Sequence, residues 1–192
     1  MTAGSRRPAG PLDRLVRAAL WEDRTGQDRT TRAILTAPRR AVGTVTAQAR
    51  GTLSGMQPAR AIARVAGLTL RSAKRDGDPI RRGSVVLVLR GDARKILAVE
   101  RTLLNFLMHA SGVATATARA VDRAGPLQVW GTRKTVPGLR DLQKAAIRHG
   151  GGSPHRRDLA AAFLVKNNHL ALVPLPEAVR RARRAARPGE SV

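Results

Sequence analysis

Residues 127–169, LQVWGTRKTVPGLRDLQKAAIRHGGGSPHRRDLAAAFLVKNNH, decide the fold of the C-terminal part of the chain. Leu127 to Trp130 is a short strand-like run, and Gly131-Thr132-Arg133-Lys134-Thr135 with Pro137-Gly138 forms the loop after it. A helix should then run to about Arg148, Gly150-Gly151-Gly152 breaks it, and the apolar run Phe163 to Val165 reads as a further strand. Alternation of this kind predicts a parallel sheet flanked by helices. In parallel barrels the site lies on the loops that leave the C-terminal ends of the strands. Here those loops carry Thr132, Arg133 and Lys134, then His155, Arg156 and Arg157, then Lys166, Asn167, Asn168 and His169. One Arg or Lys on a loop is most often a solvated charge. Three successive units delivering cations to one end of a sheet predict a convergent anion site.

Upstream the rhythm differs. Residues 1 to 10 read as a loose, flexible tail, and Leu12, Leu15, Val16, Ala19 and Leu20 recur at helical spacing from Leu12 to Trp21. From Val42 the run VGTVTAQA alternates as a half-buried strand does. Its expected partners are Leu68 to Ala73 and Val85 to Leu89, with turns at Asp76-Gly77 and Arg82-Gly83. A helix from about Pro58 to Ala66 lies between them, which predicts an antiparallel sheet with helices on one face. A longer helix, Ala93 to His109, should bury Ile96, Leu97, Leu103, Leu104 and Leu107, with a second apolar segment from Val113 to Ala124. The domain boundary is placed near residue 115, giving an N-terminal domain over residues 11–115 and a second one over residues 116–192. An Arg-Ala helix surrounds Arg180 to Arg187.

The 192 residues, 42% hydrophobic and 26% charged, suffice for a globular core. With no Cys there is no disulfide framework, thiolate metal site or Cys nucleophile, so chemistry must come from Arg, Lys, His or carboxylates. No apolar run approaches the roughly 20 residues that span a bilayer, and Met1 to Gly10 lacks a secretory h-region, so a cytoplasmic protein is expected. The net charge of +23 admits polyanionic partners. Nucleic acid is set aside as the main partner, because the arginines are dispersed and aromatic residues are only 2% of the chain, leaving little for base stacking.

The segments TRKTVPGLR, KAAIRHGGGSPHR and LVKNNH resemble motifs of the quinolinate phosphoribosyltransferase family, which run as TRKTTPG, a triple glycine ending in HR, and IKDNH. RGTLSG and AVERTLLNFLMHASGVAT resemble its N-terminal domain and the helix that leads into its barrel, so the resemblance covers roughly residues 12 to 185. It implies a mixed α/β fold: an N-terminal α/β sandwich with a mostly antiparallel sheet, followed by an incomplete α/β barrel. It also implies a homodimer, quinolinate and phosphoribosyl pyrophosphate as substrates, and Mg2+ accompanying the pyrophosphate. By the same resemblance Thr132, Arg133, Lys134, His155, Arg156 and Lys166 hold substrate, with Lys134, His155 and Lys166 at the chemistry. His155 is expected to orient a hydrogen bond rather than donate a proton. Arg101 would reach the site across the dimer interface.

Some residues depart from the family pattern. Asn167 stands where Asp is usual and Val136 where Thr is usual. Gly131 before TRK and Pro154 before HR look closer to archaeal-type variants. The family's Glu and Asp for ribose and metal, and its phosphate loop, are expected beyond Val192, and Glu190 is no obvious substitute. On this reading no protein metal ligands lie in the chain, and it is a fragment, a truncated frame or a degenerate relative. Two rivals remain: the family's paralogue from molybdenum-transport loci, and a noncatalytic anion- or nucleic-acid-binding protein.

Overall fold

The computed structural model describes residues 10–190 and Val192; the tail reading of residues 1–9 lies outside the described residues. Gly10 is the extended residue that precedes the first helix. In chain order the elements are α1 (Pro11–Glu22), a 3-10 turn, α2 (Arg29–Ile34), β1 (Arg40–Thr46), β2 (Gly51–Thr52), α3 (Met56–Ala66), β3 (Thr69–Ser72), β4 (Pro79–Ile80) and β5 (Val85–Asp92). They continue with α4 (Ala93–Ala124), β6 (Trp130–Gly131), α5 (Arg140–His149), β7 (Ser153–Pro154), α6 (Asn167–Leu170) and α7 (Leu175–Ala185).

The three expected strands form one antiparallel sheet in the order β1-β5-β3. β5 sits centrally because it is the most apolar, burying Val86, Leu87 and Leu89. In β1 the inward set is Ala41, Gly43 and Val45, so Val42 points outward and is 55% exposed. Gly43 lies inward because α4 crosses closely there: a Cβ built on it would stand 3.1 Å from Ile96 Cγ2. Periodicity alone did not reveal a second, two-stranded sheet, β2 with β4.

α4 is the shaft of the molecule. Asp92 caps it, its Oδ1 accepting from the Arg94 N–H at 2.8 Å. The helix runs unbroken through residue 115, so the two segments expected as Ala93–His109 and Val113–Ala124 are one element. Its first half buries Ile96, Val99, Leu103, Phe106, Leu107 and Ala110 among α3 and the sheet; Leu97, expected inside, is 45% exposed. Its second half receives α5. The RGTLSG stretch is the joint that ties the layers together. Thr52 N donates to Thr115 Oγ1 at 2.9 Å, Ser54 N donates to Ser111 Oγ at 3.0 Å, and Ser54 Oγ lies 2.8 Å from His149 Nδ1 of α5. Gly55, at φ 108°, starts α3 where a Cβ would press on Phe106 O at 3.0 Å.

The C-terminal part holds the predicted β-α-β unit. β6 and β7 are parallel, pairing Trp130 with Ser153 and Gly131 with Pro154, and α5 connects them. The strand expected at Leu127 to Trp130 is paired only at its end. Phe163 to Val165, expected as a third strand, has no ladder, because no neighbouring strand among the described residues accepts its backbone groups. α6 is a single turn, and α7 lies on the surface with Glu177 paired to Arg180 and Arg181.

Candidate active site

Two loops leave the same end of the β6/β7 pair, and their relative position follows from the parallel register. Ser153 N donates to Val129 O at 2.9 Å, and His155 N donates to Gly131 O at 3.2 Å, so His155 and Thr132 emerge side by side. The His155 ring meets Trp130 edge-on, with centroids 6.0 Å apart. Within the first loop Thr132 Oγ1 accepts from Lys134 N at 3.1 Å, a short turn that leaves the Lys134 side chain exposed. Arg133 turns inward, and its Nε is sealed from solvent with no hydrogen-bond acceptor.

α5 holds both loops. Gln143 Oε1 accepts from Val136 N at 2.9 Å, and the Gln143 amide meets His109 Nε2 of α4 at 3.0 Å. Arg140 Nε donates to Thr135 Oγ1 at 3.1 Å and its Nη1 to Arg157 O at 3.4 Å. Lys144, 3% exposed, donates from Nζ to His155 O at 3.0 Å. Burial, and then the charges of Arg140, Arg133 and Arg148, hold the Lys144 ammonium below the usual lysine range. None of these α5 residues was singled out from sequence. Spacing puts Arg140, Lys144 and Ile147 on one stripe at i, i+4 and i+7, but that this stripe faces the loops is set by the packing of α5.

The adjacent arginines of HRR have different fates. Arg157 forms a two-pronged pair with Asp141, Nε to Oδ1 and Nη2 to Oδ2 each at 2.8 Å, and its guanidinium keeps the Asp141 carboxyl below the usual range. Arg156 instead donates to the Ala162 carbonyl at 2.9 Å and lines a pocket of about 420 Å³ with Lys166, Phe163 and His169. Lys166 precedes α6, its N–H donating to His169 Nδ1 at 3.0 Å. Asn167, in place of the usual Asp, opens α6 and is exposed. Among the described residues no carboxylate pairs with Arg133, Lys134, Arg156 or Lys166. The fold thus brings Thr132, Arg133, Lys134, His155 and Arg156 to one edge, with Lys166 beside Arg156. Arg101 is exposed on α4, and among the described residues no hydrogen bond links it to that edge.

Positive charge gathered with no paired carboxylate among the described residues, at the open end of a parallel pair, suits an anionic ligand. Comparison with known proteins gives the same direction. Residues 28–111 match the family described as Quinolinate phosphoribosyl transferase, N-terminal domain, and residues 113–191 match its C-terminal domain. The chain is 38% identical over 174 residues to the probable nicotinate-nucleotide pyrophosphorylase [carboxylating] of Methanothermobacter thermautotrophicus, covering 88% of this chain and 62% of that protein. It is 39% identical over 180 residues to the nicotinate-nucleotide pyrophosphorylase [carboxylating] of Mycobacterium leprae, covering 90% and 63%. The chain therefore spans less than two thirds of the length of these relatives. Among solved structures it resembles NadC from Streptococcus pyogenes, with TM-score 0.88, 36% identity and coverage of 96% of this chain and 69% of that one. The nicotinate-nucleotide pyrophosphorylase of Francisella tularensis gives TM-score 0.88 and 30% identity, covering 97% and 67%. With both domains matched in order and the fold shared over nearly all of its length, the chain belongs to the quinolinate phosphoribosyltransferase family.

Proposed function

We propose that this chain binds quinolinate and serves the transfer of a phosphoribosyl group to it, giving nicotinate mononucleotide, pyrophosphate and carbon dioxide. The ring nitrogen bonds to the anomeric carbon of phosphoribosyl pyrophosphate as the bond from that carbon to pyrophosphate breaks with its electron pair. The carboxylate beside the nitrogen then leaves as carbon dioxide, and the ring carbon that keeps the electrons takes a proton. Both substrates are polyanions, so the protein's main task is to set them against each other and screen their repulsion with fixed cations. The observation that carries this reading is the gathering of Arg133, Lys134 and Arg156 with His155 at one edge of the β6/β7 pair, with no carboxylate paired to those cations among the described residues.

In this reading Arg133 and Arg156 fork the two carboxylates. The Thr132 hydroxyl and the His155 ring orient them, and Lys134 and Lys166 lie nearest the reacting atoms. Among the described residues no three His, Asp or Glu side chains gather as a metal cage. Magnesium belongs to this reading as a companion of the pyrophosphate, held by substrate oxygens, and no step is assigned to it. The same reading puts the protein in the cytoplasm; among the described residues no helix is long and apolar enough to cross a membrane.

A homodimer is part of the proposal. Support comes from the concave face between β1 and α4, a cavity of about 580 Å³ lined by Thr44, Val45, Leu89, Ile96, Leu104 and Met108. Met108, 57% exposed on α4, lines this face, and the same helix carries Arg101. A second copy on this face could bring Arg101 to its partner's anion site; sedimentation as a monomer at micromolar concentration would count against it.

Thermal unfolding with added ligand tests the central reading. Quinolinate at about 100 times its Kd should stabilise by roughly 2.7 kcal/mol, or about 5 to 11 °C for a chain of this size. Nicotinate, one carboxylate short, should protect much less. Equal shifts with both would refute a quinolinate site.

A further inference from the structure

Lys144 is out of place by composition. It is 3% exposed and lies on α5 between buried Leu142 and Ala146, where an unbranched apolar side chain of the same length would fill the space without desolvating a charge. No carboxylate among the described residues compensates it, and Arg133, Arg140 and Arg148 are near enough to disfavour its charge. Its one hydrogen-bond acceptor is His155 O at 3.0 Å. That carbonyl belongs to the residue whose N–H already donates to Gly131 O. The His155 backbone is thus held from both sides, by β6 through the amide and by α5 through the carbonyl. The next side chain, Arg156, is then aimed by a peptide that cannot rotate. A charge-assisted bond suits this task, being stronger than a neutral one.

We propose that Lys144 is a positioning residue for the anion site: its ammonium clamps the His155 carbonyl and so fixes where the His155 ring and the Arg156 guanidinium stand. The purpose of the clamp rests on the anion-site reading above, but its existence does not.

The test compares the full 192-residue chain with Lys144→Met, which keeps length and loses the donor, and Lys144→Arg, which keeps a cationic donor. Amide hydrogen exchange without ligand is read over residues 153–158, with α3 and the first half of α4 as internal references. Lys144→Met should speed exchange in 153–158 by about tenfold or more while the references keep wild-type rates. Lys144→Arg should recover most of the protection. Quinolinate affinity, by calorimetry, should fall by about tenfold in the Met variant and by less than about threefold in the Arg variant. Unchanged exchange in 153–158 would overturn the proposal. So would Arg performing no better than Met, or loss of protection spreading to α3, which would make Lys144 a packing residue. If exchange responds as expected and even the wild-type chain fails to bind quinolinate, the clamp stands and the quinolinate reading falls.

Discussion

The three consecutive glycines of the GGG segment should fail for three different reasons when each is changed to alanine. A Cβ on Gly150 would stand 2.3 Å from Ala114 O, 2.7 Å from Thr117 Cβ and 3.1 Å from Ala118 N, so two of its three nearest atoms are backbone of α4. Ordinary contacts of a carbon with such atoms begin near about 3.3 Å. The end of α5 must therefore move away from α4 by roughly 1 Å, and overpacking of this kind costs up to about 3 kcal/mol. At about 2 to 4 °C per kcal/mol, the melting temperature should drop by about 6 to 12 °C. On Gly152 the Cβ would meet Thr117 Cγ2 at 2.8 Å and Ile147 Cγ2 at 3.0 Å, which are side-chain methyls. These can yield, although Thr117 is held by its bond to Val113 O, so about 1 to 2 kcal/mol is expected. Gly151 has space, with Val121 no nearer than 3.8 Å, but its φ of 84° is left-handed. Alanine there costs about 1 kcal/mol once the lower entropy of the unfolded chain is counted. Thermal unfolding by circular dichroism reads the series, expected in the order Gly150, Gly152, Gly151. Because the Gly150 clash displaces the end of α5, the helix that holds both loops, its variant should also lose quinolinate affinity most. Equal losses at all three positions, or the largest at Gly151, would refute the close-approach argument.

Two further outcomes are expected. Arg133→Ala and Arg156→Ala should each weaken quinolinate binding, measured by calorimetry, by about 1.5 to 3 kcal/mol, whereas Arg184→Ala on exposed α7 should change it little; three equal small effects would mean that the charge acts diffusely. The Asp141–Arg157 pair should stabilise only above the acid range. Because the folded Asp141 carboxyl is held below 3.8, its contribution is complete above that value and is lost as pH falls through the folded pKa. Both side chains are more than half exposed, so the stabilities of wild type and Asp141→Asn from urea unfolding should differ by at most about 1 kcal/mol near neutral pH, and the difference should shrink as pH falls through the folded pKa. A difference that persists in acid would mean that Asp141 acts otherwise than as a carboxylate.

Much of this molecule was legible before folding, where the information is local. The alternation of residues 42–47, the apolar run 85–89 and the helical spacing in α1, α3 and α4 follow from periods of two and 3.6, which need only near neighbours. The order strand, loop, helix, glycines, loop placed Thr132 to Lys134 and His155-Arg156 at one end of a parallel pair for the same reason. What only the tertiary structure decided lies in contacts between residues far apart in the chain. Ala93 to His109 and Val113 to Ala124 read as two segments, yet α4 runs through the residues between them, Gly112 included, because packing by α3, α5 and the sheet outweighs one residue's propensity. Phe163 to Val165 has strand composition but no strand beside it, and hydrogen bonds to a neighbour, not composition, make a strand. Arg156 and Arg157 are equivalent as letters; Asp141, brought near by α5, pairs with Arg157 and leaves Arg156 without a carboxylate among the described residues. Lys144 reads as a solvated helix charge until α5 packs against the loops. Only then does its ammonium lie beneath the His155 carbonyl, since burial is a property of what surrounds a side chain and not of the side chain itself.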